Sequence, residues 1–394
     1  MSTVPASELE LHASALGRRL GDLDAILALE AADLYWLTGS IQAGFAYVPR
    51  EGPVIYGVRR DPGRARAESG LAHVVQFSSP KDLGALLGQV GLPMPKKLGM
   101  ELDVVPVNLF DRWRSALPGV EVVDASFAIR AARAVKTTWE QDRIKAAAKV
   151  ADAVVRRCLE VLRPGISEME LAADLEATAI RLGHQGMVRM RAFNAENHFG
   201  QILAGPSGAQ IPPGDTPLGG SGPNPYVGKG AGPRLIRPGE PVVVDIAVAV
   251  DGYVVDQTRT FSCGPLPDEL VQAHADMVAV LEHALSFVKP GMPWARPHEE
   301  ALVLAARLGH KDRFMGPPGV QAKFLGHGVG LELDELPVLA KAFGDHMLEE
   351  GMVIAIEPKV VFKDLGAVGI EDTFLVQRDG FERLTLPEQC LFVV

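Results

Sequence analysis

The sequence predicts an α+β protein in two parts: a smaller α/β domain over residues 1–135 and a larger domain over 136–394, built as a curved antiparallel sheet with helices on one face. Three observations lead there. The first 135 residues alternate short apolar strands with helical patterns. The remainder runs as helix pair, strands, helix pair, strands. Between two alternating strand patterns sits Asp251-Gly252, a dipeptide suited to a two-residue hairpin turn. A length of 394 residues is also what two domains need.

In the first part a helical pattern covers about 7–20 and leads into the apolar run Asp24–Glu30. Leu34–Gly39, Gly44–Pro49 and Val54–Val58 follow, the last after a Gly-Pro turn. No catalytic constellation is visible here, so the domain reads as a scaffold or dimer-forming element.

The second part opens with a helix from about Thr138 to Leu162, on which Ile144, Val150, Val154, Cys158 and Leu162 recur near the helical period. Pro164-Gly165 ends it. Ser167 and Glu170 form a capping box for a helix that stops at Gly183. Further helices are predicted over about 268–288 and 298–308, and strands over 241–250, 253–262, 352–357 and 367–376. The Gly- and Pro-rich stretch 205–233 reads as a long ordered loop bordering a site.

Composition narrows the function classes. Forty-nine acids against 39 Lys and Arg give a net charge of −10, and no run of like charge stands out, which argues against a nucleic-acid partner. The three cysteines, Cys158, Cys263 and Cys390, are too scattered for a disulfide framework or a thiolate metal site. The N-terminal stretch lacks an apolar core of signal-peptide length, and nothing reads as a membrane span. A cytoplasmic enzyme or binding protein is the expectation.

The chemistry concentrates in a few acids and one histidine. With Asp251-Gly252 as the turn, Val250 pairs with Tyr253, Ala247 faces Asp256 and Asp245 faces Thr258. Asp245 and Asp256 then lie as diagonal neighbours on one face of the ribbon. Two carboxylates on an apolar face repel each other and resist desolvation unless they meet water or a cation. Downstream, His327 is flanked by Gly326 and Gly328, Glu357 ends the apolar strand Ile354-Ala355-Ile356, and Glu371 lies inside another strand. Acids in near-continuous apolar strands are costly unless paired or coordinating. Four acids and one imidazole suit a pair of divalent ions bridged by carboxylates.

These residues, in this order, resemble the pita-bread metallopeptidases, which include methionine aminopeptidase, prolidase and Xaa-Pro aminopeptidase. The family pattern is an Asp, a second Asp before Thr-Arg-Thr, a His in Gly-His-Gly, a Glu before Pro and a last Glu before Asp. Here those positions are Asp245, Asp256 (followed after Gln257 by Thr258, Arg259 and Thr260), His327, Glu357 and Glu371. Leu34–Gly39 and the join Arg133–Ala147 resemble the N-terminal domain and interdomain segment of the two-domain creatinase/prolidase branch. The resemblance implies a pita-bread domain preceded by a creatinase-type domain, and a homodimer.

Three positions depart from that branch. No histidine stands near Val227 and Gly228, where a loop histidine belongs. The second histidine, in His-Glu-x-Pro, is replaced by Asp334 in Asp334-Glu335-Leu336-Pro337. The arginine two residues before the last Glu is Gly369. An ionised Asp cannot donate to an oxyanion as the family's histidines do. His198 is a candidate replacement.

The resemblance implies a metal-dependent hydrolase of a small peptide or amide, most of all an Xaa-Pro aminopeptidase or dipeptidase. By that resemblance Asp245 and Asp256 would chelate one ion, with Asp256 also reaching the other, His327 and Glu357 would complete the second site, and Glu371 would bridge. A bridging hydroxide attacks the scissile carbonyl while Glu357 shuttles the proton, and Asp334 lines the pocket as a base or substrate anchor. Mn2+ or Zn2+ is favoured, and Co2+ and Fe2+ also fit. Two alternatives remain. One is a C–N hydrolase or lyase using Asp334, although the lyase relative carries an extra Asp where Ala247 stands. The other is a catalytically silent binding homologue.

Overall fold

In a computed structural model describing residues 3–394, Ala25–Ala28 is an inner strand of a six-stranded sheet. The sheet runs in the order His73–Gln76, Ile55–Val58, Gly44–Pro49, Ala25–Ala28, Lys97–Met100, Glu121–Asp124. The strand Gly44–Pro49 is antiparallel to both neighbours and the other pairs are parallel, as short strands linked through helices require. Leu27, Phe45, Leu98 and Trp113 pack into one apolar core, with Phe45 and Trp113 in edge contact at 5.3 Å. Ala31–Thr38, which takes in the Leu34–Gly39 segment up to its last residue, is a helix ended by Gly39 at φ 74°.

This first unit comprises the chain up to Arg133 together with 191–195, and the second comprises 134–190 and 196–394. A single boundary at 135/136 does not anticipate the short 191–195 segment. Arg191 holds it to the first unit by ion pairs to Asp33 (2.7 Å) and Asp103 (2.8 Å).

The second unit is built on the hairpin Pro241–Val250 and Tyr253–Ser262. Asp251 and Gly252 take φ values of 51° and 92°, the double left-handed turn that matches strand twist. The register is the one the turn predicts, with Val250 opposite Tyr253, Ala247 opposite Asp256 and Asp245 opposite Thr258. Gly200–Ala204 and Phe392–Val393 extend this sheet on either side. The helix Thr138–Val161, opened by a capping box from Thr137 and Glu140, packs on the hairpin and on the helix Glu168–Arg181. The Ser167–Glu170 box opens that second helix. Asp268–Leu285 and Ala295–Arg307 form the other helix pair.

A second sheet orders Glu335–Val338, Gly326–Gly328, Val353–Ile356, Asp372–Gln377 and Gly380–Arg383, all antiparallel. The predicted strand 367–376 is two strands. Gly366–Gly369 pairs with Lys359–Phe362, and the chain then changes partner, so that Asp372–Gln377 pairs with Val353–Ile356. Glu371 therefore sits at the break rather than inside a strand. There it forms an isolated bridge to Thr258 that joins the two sheets.

Candidate metal centre

Two strand ends and one hairpin face converge on the same point. Asp245 and Asp256 reach it from the hairpin, where Ala247 opposite Asp256 fixes them two residues apart on one face. His327 comes from Gly326–Gly328, paired with Ala355. A Cβ on Gly326 would lie 2.1 Å from the Ala355 carbonyl oxygen, and one on Gly328 would lie 2.2 Å from that of Leu336. The flanking glycines thus let the neighbouring strands close around the histidine. Glu357 follows the strand Val353–Ile356, its amide donating to the Leu325 carbonyl at 3.0 Å.

One ligand atom from each of Asp256, His327 and Glu371 lies within 4.8 Å of the others, and all three residues are buried. His327 Nε2 is 3.7 Å from Asp256 Oδ2 and 3.7 Å from Glu357 Oε1. Glu371 Oε1 is buried with no hydrogen-bond partner among the described residues. A buried acceptor without a donor is destabilising, and a cation at this point would satisfy it. By this test the residues fit a divalent ion.

The Thr-Arg-Thr segment is the frame of the site. Thr258 Oγ1 donates to Glu371 Oε2 at 2.7 Å. Arg259, fully buried, donates to the Glu371 carbonyl at 2.8 Å and to Asp372 Oδ1 at 2.6 Å. Thr260 Oγ1 donates to the Gly369 carbonyl at 2.8 Å. These bonds tie the Glu371 break to the hairpin and aim its carboxylate inward.

Lys359 is the residue that sequence reasoning missed. Its Nζ lies 2.5 Å from Glu357 Oε2, 3.0 Å from Glu371 Oε2 and 3.3 Å from Asp245 Oδ2. The available signal was a lysine opening an apolar strand two residues after Glu357, a buried charge that needs partners.

The electrostatics follow from burial and crowding. Burial, then the charges of Glu371 and Asp245, push the Asp256 carboxyl well above the ordinary range. Burial likewise raises Glu357, Glu371 and Asp245, with Lys359 opposing the shift in each. Burial pulls the Lys359 pKa down, but Asp245, Glu357 and Glu371 outweigh it and raise it well above the ordinary lysine value. In His327 burial is likewise outweighed, by Asp334, Glu357 and Glu371, so the ring binds its proton more tightly than usual.

Of the two remaining candidates, Asp334 borders the site and His198 does not. Asp334, half exposed in the left-handed region at φ 64°, sets Oδ1 3.4 Å from His327 Nδ1, the ring nitrogen turned away from the acids. The Gly328 carbonyl is 3.2 Å from the same nitrogen. His198 is exposed, and its imidazole pairs with Glu176 rather than with any of the five candidate ligands. Short-range sequence context could not place it. Val227, where the loop histidine is missing, is exposed as well.

Comparison with known proteins matches this architecture. Residues 142–378 match Metallopeptidase family M24, and residues 16–135 match the Creatinase/Prolidase N-terminal domain. A putative dipeptidase of Bacillus subtilis is 30% identical over 288 residues, which is 73% of this chain and 70% of the relative. The Xaa-Pro dipeptidase of Pyrococcus furiosus is 26% identical over 370 residues, 93% of this chain and 94% of its own. The solved Xaa-Pro dipeptidase from Bacillus anthracis shares the fold at a TM-score of 0.81 and 23% identity, over 98% of this chain and 99% of that one.

Proposed function

The chain belongs to metallopeptidase family M24, and from that premise we propose that it cleaves small Xaa-Pro peptides as a dipeptidase or aminopeptidase with Asp245, Asp256, His327, Glu357 and Glu371 as its metal-binding set. The observation that carries this reading is the approach of Asp256, His327 and Glu371 ligand atoms to within 4.8 Å at a buried point. Carboxylates with one imidazole suit Mn2+ or Zn2+. When bound, such an ion supplies an acidified water and a polarised scissile carbonyl.

The chain's own groups then divide the remaining work. Glu357 takes a proton from the nucleophile and delivers it to the leaving nitrogen, its other oxygen held by Lys359 at 2.5 Å. Thr258 and Arg259 hold Glu371 in place. Asp334 orients His327 through Nδ1, so that Nε2 faces the acids. That position differs from the substrate-lining role the resemblance implied, and it weakens a lyase reading that needs Asp334 as a free base. His198, paired with Glu176, has no part in the proposed machinery.

Occupation by two ions, which the five-ligand pattern implies, requires Lys359 Nζ to leave the Asp245, Glu357 and Glu371 carboxylates. One ion at Asp256, His327 and Glu371 requires no such movement. We take the assembly to be a homodimer, which analytical ultracentrifugation measures. A cytoplasmic setting is supported by three unpaired cysteines. The deciding experiment offers metal-loaded protein Xaa-Pro dipeptides and tripeptides beside betaine-type and guanidino substrates. Cleavage of the peptides is expected, and turnover of either other class without peptide cleavage would replace this reading.

A further inference from the structure

The acidic centre contains a cation of its own. Lys359 Nζ has three N–H donors and meets three carboxylates: Glu357 Oε2 at 2.5 Å, Glu371 Oε2 at 3.0 Å and Asp245 Oδ2 at 3.3 Å. The oxygens of the two glutamates divide accordingly. Their Oε2 atoms turn to Lys359, Glu357 Oε1 turns to His327 Nε2 at 3.7 Å, and Glu371 Oε1 has no partner.

The sheet is built to admit this side chain. Lys359 pairs across the strands with Gly369. A Cβ on residue 369 would lie 2.6 Å from Lys359 Cγ and 2.7 Å from the Pro358 carbonyl oxygen. The absence of a side chain at Gly369 thus leaves the room through which Lys359 enters the acids.

We propose that the Lys359 ammonium permanently occupies the place of one of the two ions, against Asp245, Glu357 and Glu371, so that the centre takes a single divalent ion among Asp256, His327 and Glu371. The inference rests on the metallopeptidase reading of the site. Charge and space support it together. Four carboxylates facing one ammonium leave three negative charges, which one divalent ion largely neutralises. A second divalent ion would sit against the ammonium in a buried, poorly screened setting, where like charges repel strongly. Asp245 becomes a partner of Lys359, and Glu371 bridges an ammonium and a metal ion.

The test is metal stoichiometry on the full chain. Protein stripped with chelator is titrated with Mn2+ and, separately, Zn2+. Bound metal is counted by mass spectrometry of the dialysed sample, and Mn2+ is examined by electron paramagnetic resonance. Wild type is expected to hold one ion per chain with the spectrum of isolated Mn2+. Lys359→Ala is expected to hold two with a spin-coupled spectrum, and Lys359→Arg, which keeps the charge, to remain at one. Two ions on wild type, or a folded Lys359→Ala that stays at one, overturns the inference while leaving the metallopeptidase reading intact. No uptake of either metal by folded wild type overturns that reading as well. Should Lys359→Ala fail to fold, the wild-type count and spectrum still decide.

Discussion

Two clusters of buried charge, one in each unit, show what separates a structural ion network from a chemical site. In the first unit Asp33 is fully buried and both its oxygens are taken, Oδ1 by Arg133 at 2.6 Å and Oδ2 by Arg191 at 2.7 Å. Arg191 also clamps Asp103 with two bonds, of 2.8 and 2.9 Å. Both Asp33 oxygens and both Asp103 oxygens are thus met by guanidinium donors. In the second unit four carboxylates share one ammonium and one imidazole, and Glu371 Oε1 is left without a donor. Saturated charge fixes a fold, whereas a surplus of one sign around an orphaned oxygen holds affinity for a cation in reserve.

Removing a ligand should break the second cluster outright. Asp256→Ala is expected to abolish Mn2+ uptake and peptide cleavage together while leaving the fold detectable by circular dichroism, and a metal-loaded, fully active variant would refute the assignment. Removing a cation should break the first cluster in a different currency. Arg133→Met leaves Asp33 a buried charge with half its partners, and the expected cost is about 3–5 kcal/mol in urea unfolding, with the metal count of folded protein unchanged.

Glu101 sharpens the comparison because it is a buried acid whose Oε2 has no hydrogen-bond partner among the described residues. Burial and the charge of Asp33 raise its carboxyl from an ordinary 4.5 to about 8, against hydrogen bonds from the Leu29 and Glu30 amides. As pH rises the unfolded chain therefore loses this proton before the folded chain does. Stability contributed by the protonated form is lost between about 4.5 and about 8. Glu101→Gln should flatten that slope in melting curves, by an amount on the order of a few kcal/mol across the window. An unchanged slope would mean that Glu101 is ionised in the fold. The smallest effect is expected at Asp334. Asp334→Ala removes one of two acceptors near His327 Nδ1 and should weaken metal affinity about 10-fold to 100-fold, measured by competition with a chelating dye.

Much of the fold was legible because local chemistry and tertiary context agree. Asp251-Gly252 specifies a turn, the turn specifies the register, and the register puts Asp245 and Asp256 on one face. The Ser167–Glu170 capping box and the Gly39 helix end are equally local. Three features resist such reading. Glu371 looks like a strand residue because its neighbours are apolar on both sides, and only the change of pairing partner makes it a bridge between sheets. Asp334 is placed in a motif by sequence, but its approach to His327 Nδ1, at 3.4 Å, depends on tertiary placement. The segment 191–195 joins the first unit through Arg191 partners more than 80 positions distant in sequence, at Asp33 and Asp103.

Sequence alone determined the family, the two-part α+β plan, the hairpin register and the identity of the acids and histidine, because turn chemistry, strand alternation and ligand types are properties of short segments. Tertiary structure alone decided what those groups face. Lys359 enters the acids only because Gly369, ten residues further along the chain, lies opposite it without a side chain, and Glu371 keeps one oxygen unpartnered among the described residues at the point where the chain changes strand partner. The physical reason is that electrostatic surplus belongs to a place in space, and no stretch of sequence carries it.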